Sequence, residues 1–464
     1  MIALAGCGTE TDGPPPSGQP EGWDADLRLP EAIDRSADPD VVEIDLTAKV
    51  SAIEIVPGTK TPAWTYGGAI PGPLIHVKRG DRLIVHFKNE LPEATTIHWH
   101  GVRVPNEMDG VPDMPTPPVP PGGSFDYDFT LPDAGLFWYH PHVNSAAQEG
   151  FGLYGALLVD DPEEPANLGD PLVLVLSDIG VKDDGSLLSP TSGGDLGSVF
   201  GREGNILLVN GKRVPELRPR AGRRERWRIV DAARSRYFQL DLDGRPFVRI
   251  GGDGGRATAS QTIDRVLLGP GERADVLLTP ADEPSEAHTL RWVPFDRGYG
   301  TADLRPVEDV LKIVASDLPA ETPGAIPDAA RAIDPIAVAG ATPVDVHLTM
   351  DQQGDVITLG INGVAYTEDT PPIPAMVGET QLWTLTNEMP WAHPFHLHGF
   401  FFQAVNEDGS PALPLEWKDT IHVPVDGTER FVVKYDDRPG MWMFHCHILD
   451  HAELGMMGMV ELMK

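Results

Sequence analysis

The sequence predicts an all-β protein built as three consecutive β-sandwich domains, and three observations carry that expectation. Gly and Pro are abundant, 49 and 46 of 464 residues, whereas aromatics make up only 7%, a balance that favours strands and turns over helices. Short apolar runs bounded by Gly, Pro, Asn and Asp recur along the whole chain. The length exceeds that of one ordinary domain, so two to three cores are expected.

Residues 1–40 are read as a signal remnant and flexible tether. "LAGC", Leu4 to Cys7, resembles the lipobox of a bacterial lipoprotein signal, and the Pro/Gly/Asp-rich stretch to about Asp26 suits a spacer. No basic or fully apolar stretch precedes it, so the expectation is that translation starts further upstream. A lipid anchor at Cys7 and an extracytoplasmic location, periplasmic or cell-surface, follow. Residues 41–165 form the first predicted sandwich, in which "DRLIVHF" turns Leu83, Val85 and Phe87 inward and "GALLVDD" closes the unit. Residues 166–316 form the second, with "PLVLVLSD", "RRERWRIVDA" and "RADVLLTP" as strands. Residues 317–343, rich in Pro and Ala without periodicity, are read as a linker, and 344–464 as the third sandwich. A strand, Asn-Gly turn, strand pattern repeats at "LLVNGK" and "LGINGV".

The 70 acidic residues against 36 basic ones give a formal charge of −34, which opposes polyanions and attracts cations. Nucleic-acid binding is not expected on that ground. No apolar run reaches the length of a membrane-spanning helix. The two cysteines, Cys7 and Cys446, lie at opposite ends of the chain, and no disulfide is read between them.

Ten of the fifteen histidines fall in four clusters: "HWHG" (His98, His100), "HPH" (His140, His142), "HPFHLHG" (His393, His396, His398) and "HCHILDH" (His445, His447, His451). Residues i and i+2 of a strand share a face, so each H-x-H pair offers two imidazoles to one metal or metal pair. One such pair has an ordinary structural explanation; four together do not. In "HCH" the same alternation turns Cys446 away from His445 and His447, so one tripeptide touches two sites. A thiolate with two imidazoles and a weak axial thioether is a blue-copper ligand set. Cys446 supplies the thiolate, His451 one imidazole and Met456 the thioether, and His393, the unpaired member of its cluster, is available as the second imidazole.

These motifs resemble those of the multicopper oxidases, particularly three-domain bacterial laccase-like enzymes, and the likeness in pattern runs from about residue 41 to 464. The resemblance implies three cupredoxin-like Greek-key sandwiches holding four copper ions, one type 1, one type 2 and two type 3. Type 1 copper is then expected at His393, Cys446, His451 and Met456, and type 2 at His98 and His396. The type 3 pair falls to His100, His140, His142, His398, His445 and His447, with the middle sandwich contributing architecture only. Electrons would pass from Cys446 through His445 and His447 to a cluster that reduces dioxygen to water.

Asp109, in "NEMDG", is the candidate proton donor, against the alternative of an ordinary turn aspartate. Asp419 is read as a solvated strand-end acid, against the alternative that it fixes a type 1 histidine, Met457 and Met459 as packing residues, and His76, His86, His288, His347 and His422 as ordinary strand or surface histidines. The expected reductants are phenols and aromatic amines, with a metallo-oxidase of Cu(I), Mn(II) or Fe(II) as the alternative. No methionine-rich segment over the type 1 site marks the latter, since the 12 Met are scattered apart from the neighbourhood of the axial Met456. A copper nitrite reductase would leave "HPH" and the doubled "HCH" unexplained, and a copper-free scaffold should lack ligands that are present here. With both sides of the site supplied by one chain, a monomer is expected.

Overall fold

The computed structural model describes residues 18–298, 304–353 and 356–464. Cys7 lies outside the described residues. Strands arranged in six sheets dominate, and the three α-helices are short: α1 (Ser145–Gly150), α2 (Gly194–Phe200) and α3 (Leu449–Glu453). No helix of the described residues is long and apolar enough to cross a membrane.

Each sandwich opens on the same device. Strand Val41–Val56 pairs in parallel with Arg82–Asn89, Leu172–Ile179 with Glu225–Asp231, and Thr342–Gln353 with Thr380–Asn387. A parallel pair needs a crossover between its strands, and the intervening residues supply it. In the first sandwich Leu83, Val85 and Phe87 are fully buried while their neighbours point outward, as the alternation predicts. The repeated Asn-Gly pairs both sit at tight reversals with positive φ at each residue: Asn210 50° and Gly211 75°, Asn362 54° and Gly363 78°. Such turns match the twist of the strands they join.

Part of the expected tether is docked. Gln19 bonds to Glu225, Trp23 packs on the middle core, Leu27 is fully buried there, and Leu29 enters the apolar contact between the first two sandwiches. Composition marked residues 18–26 as polar, but the few apolar side chains find grooves that only the assembled sandwiches create. The linker carries no strand over residues 318–341, yet Ala329 packs against Leu168, Ile250 and Leu277 of the middle unit. Histidines of the first and third sandwiches face each other where those two units meet.

Candidate metal centre

Two antiparallel strand pairs bring the H-x-H motifs together. His98 lies opposite His140 where His98–His100 pairs with Gly135–His140, and His396 lies opposite His445 where His393–Leu397 pairs with Gly440–Cys446. The two pairs face each other across the seam: the His98 and His398 rings are 3.9 Å apart, and those of His100 and His396 are 3.8 Å apart. Ligand nitrogens of His142, His398 and His445 fall within 4.8 Å of one another. The rings of His100, His140 and His447 form a second group, with centroids 4.9 to 5.8 Å apart.

The hydrogen bonding of this cage divides most of its imidazoles in two. His98 and His396 donate from Nδ1 to the carbonyls of Asp109 (2.7 Å) and Asp419 (2.9 Å), and His445 donates to that of Cys446 (2.9 Å). His398 Nδ1 bonds to Asp109 Oδ2 at 2.9 Å, and His100 Nε2 to Asp419 Oδ1 at 3.2 Å. The opposite nitrogens, His98 Nε2, His100 Nδ1, His140 Nε2, His142 Nε2 and His396 Nε2, are buried with no partner, as are both of His447. His398 Nε2 and His445 Nε2 face each other at 3.1 Å. Buried orphan nitrogens are costly unless a metal takes their lone pairs, and an outer carbonyl or carboxylate on the second nitrogen is the usual arrangement of a metal-bound imidazole. Burial first, then neighbouring imidazoles, hold His100, His140, His398, His445 and His447 well below the ordinary histidine range, and His142 at about 3. They are neutral, as ligands must be. The donor set fits copper, for which imidazole is a favoured ligand.

On the opposite face of strand Gly440–Cys446 is a second, smaller site. Cys446 Sγ lies 3.3 Å from His393 Nδ1 and 3.5 Å from His451 Nδ1, which are 3.2 Å from each other. All three side chains are fully buried, and burial pushes the Cys446 thiol up to about 12. A buried free thiol is stable as a thiolate only beside a cation, so this donor set also fits copper. Met456 is fully buried in the same apolar cluster, and its carbonyl accepts from Cys446 N at 3.0 Å.

Asp109 is buried between the two halves of the cage. Burial opposes its ionisation, but His398 and His98 hold its carboxyl well below the usual range. Asp419 corrects the sequence expectation: it is 1% exposed, not solvated, and it touches His100 and His396 of the cage. Its charge is matched by Arg273 of the middle sandwich, whose guanidinium pairs with both carboxylate oxygens, Nη1 to Oδ1 at 2.7 Å. An isolated acid in "EWKDTIHV" gave no signal of a cation 146 residues away.

The sequence reading also missed Glu149 on α1. It is 2% exposed with Oε2 3.4 Å from His140 Nδ1, and burial raises its carboxyl well above the ordinary range. The middle sandwich does more than space its neighbours. His451 Nε2 donates to the Val199 carbonyl of α2 at 2.9 Å, and Asp450 is held by Arg202 and by Arg234 (Nε 2.9 Å). Ala392 N, beside His393, donates to Arg297 O at 2.7 Å. His76, His86, His288 and His347 pair with nearby carboxylates away from both sites, whereas His422, on the strand that pairs with the His393 strand, bonds to Tyr237.

Strand sandwiches that bury one thiolate beside two imidazoles, with a histidine cage directly behind it, define a class of copper redox proteins. The multicopper oxidase family profiles match residues 47–164, 172–306 and 338–463. The chain is 30% identical to the multicopper oxidase MmcO of Mycobacterium tuberculosis, over 98% of this chain and 93% of that one. It is 27% identical to the laccase of Bacillus subtilis, over 87% and 90%. Its fold is similar to that of a multicopper oxidase from Campylobacter jejuni described as a metallo-oxidase, with TM-score 0.84 and 29% identity over 94% of each chain. The chain belongs to the multicopper oxidase family and is an oxidoreductase; such enzymes pair a reducing substrate with dioxygen.

Proposed function

We propose that this protein is a laccase-like oxidase, coupling one-electron oxidation of phenols and aromatic amines to four-electron reduction of dioxygen to water. The observation that carries the reading is the tripeptide His445–Cys446–His447, whose thiol faces one constellation while its imidazoles face the other. In this reading His393, Cys446, His451 and Met456 hold type 1 copper, and His98 and His396 hold type 2. The type 3 ions fall to His142, His398 and His445 on one side and to His100, His140 and His447 on the other. Four bound coppers would supply single-electron chemistry at the thiolate and the accumulated electrons dioxygen needs at the cage.

The residues set the conditions for that chemistry. Asp109 and Asp419 orient cage imidazoles and place negative charge around them, which favours cations. Asp109, touching both His98 and His398, is also the proposed relay for protons to the cage, with Glu149 a second acid beside His140. The apolar packing around Cys446 excludes water from the thiolate. A monomer, extracytoplasmic location and lipid anchor at Cys7 complete the proposal. The test is copper content with Cys446→Ser: the parent should hold four coppers and be blue, and the variant should lose the colour and fall below about 1% of parental phenol turnover, beyond the loss usual for an outer-sphere change. A coloured, active variant would refute the reading.

One observation favours the metallo-oxidase alternative. Met114 of the first sandwich joins Met441, Met443, Met457 and Met459 of the third, packed together with Val111 and Tyr366. Thioethers are soft donors suited to Cu(I). Parallel oxygen-uptake rates on dimethoxyphenol and on Cu(I) separate the readings, and oxidation of Cu(I) alone would replace the first with the second.

A further inference from the structure

A cleft of about 360 Å³ opens where the first sandwich, the linker and the third sandwich meet. None of its lining residues belongs to either histidine constellation. Its floor is aromatic: Phe400 and Phe401 are buried, Trp417 is half-buried, and the rings of Phe401 and Trp417 lie 6.5 Å apart. Phe400 and Phe401 follow His398 closely in sequence, and Trp417 comes two residues before Asp419.

Its rim carries both signs of charge. Asp133 and Asp436 also line the cleft, but Arg103 takes both oxygens of Asp133, at 2.6 and 2.9 Å, and Arg438 bonds to Asp436 at 2.8 Å. Two cations remain. The Arg331 guanidinium donates to the Gly254 carbonyl at 3.1 Å and has no carboxylate partner among the described residues, and the exposed Lys434 ammonium has none either. With 70 acids available to 36 bases, two unmatched cations over one aromatic floor mark a place where an anion from outside completes the pairing. The aromatic lining, with Phe401 and Trp417 tilted 33° to each other, favours a ring, and the two cations favour a carboxylate on it.

We propose that this cleft binds a small aromatic carboxylate, ring on Phe401 and Trp417 and carboxylate on Arg331 and Lys434, at a site separate from both copper constellations. The site goes beyond the oxidase reading and does not depend on which reductant that reading names. It is tested by calorimetric titration of the copper-loaded full chain with benzoate, which lacks the ring hydroxyl of a reducing phenol, and in parallel with benzamide and acetate. Benzoate should bind once, at least about tenfold more tightly than either control, one charge-pair contact being worth roughly that factor. Arg331→Glu/Lys434→Glu should weaken benzoate by about tenfold or more while keeping the parental blue absorption and phenol turnover. Absence of benzoate binding overturns the proposal. So does undiminished binding in the charge-reversed variant, which would assign the anion to the copper cage, and so does benzamide binding as tightly as benzoate, which would leave only an apolar groove.

Discussion

The chemistry of this protein rests on how single side chains are turned. Gly271 shows how little freedom remains around the cage: it has φ +88°, and a Cβ there would lie 2.9 Å from His100 Cε1 and 3.1 Å from His447 Cδ2. A side chain at that position must displace ligands of the same proposed copper. Gly271→Ala is therefore expected to purify with trinuclear copper reduced while the thiolate site stays coloured; metal analysis beside the blue absorption checks this. Asp109 yields a different expectation. Asn keeps the shape but loses the charge that His398 and His98 face, so Asp109→Asn should slow dioxygen consumption by about 10- to 100-fold, the range typical of outer-sphere changes, with the blue absorption retained. Unchanged turnover would remove both its orienting and its relay role. The histidine pairs and the lone thiol were legible in sequence because period-two spacing is a local property. Asp419 and Glu149 were not, because an acid reveals its role only through the cation or imidazole that folding sets beside it.

Between residues and the whole stand short elements that carry ligands across domain boundaries. α3 holds His451, and its preceding Asp450 is gripped by Arg202, Arg234 and Ser235 of the middle sandwich. Both Arg234 and Asp450 are largely buried, and removing one partner of such a pair strands the other charge. Arg234→Met should lower the melting temperature through a loss on the order of 3 kcal/mol, tempered by Arg202, and should also shift or broaden the blue absorption. Leu240→Ala in the middle core, where Leu240 is fully buried, should lower the melting temperature alone. If the two variants behave alike, the middle sandwich supports α3 without positioning His451. The strands themselves were readable: alternation at Leu83, Val85 and Phe87 and the two Asn-Gly turns predicted their conformations. The contact of α2 with His451 was not, since a backbone carbonyl acceptor leaves no mark in sequence.

At the scale of the molecule, burial of charge sets how stability depends on pH. Glu225 is 5% exposed, accepting from Gln19 and Trp227, and burial pushes its carboxyl up to about 7 from an ordinary 4.5. The folded state then holds this proton more tightly than the unfolded chain does. Its contribution to stability is lost as pH rises from the unfolded value through the folded one, by up to about 3 kcal/mol, and is level above that. Glu225→Gln should remove this component, so urea unfolding at about pH 5 and about pH 8 should show a smaller loss of stability for the variant than for the parent. An identical pH response would show that the carboxyl titrates normally in the folded protein. The charge of −34 acts over longer range, drawing cations toward the surface and keeping copies of the chain apart.

The amino-acid sequence by itself determined the strand-rich class, the succession of three sandwiches and the histidine and cysteine motifs, because periodicity, turn chemistry and donor type are all written within a few consecutive residues. Only the tertiary structure decided which imidazoles share a cage, that Arg273 neutralises Asp419, that the middle sandwich holds His451, and that Met114 joins the methionines of the third sandwich. Those outcomes depend on residues hundreds of positions apart arriving at one buried place, where lost hydration makes each contact matter.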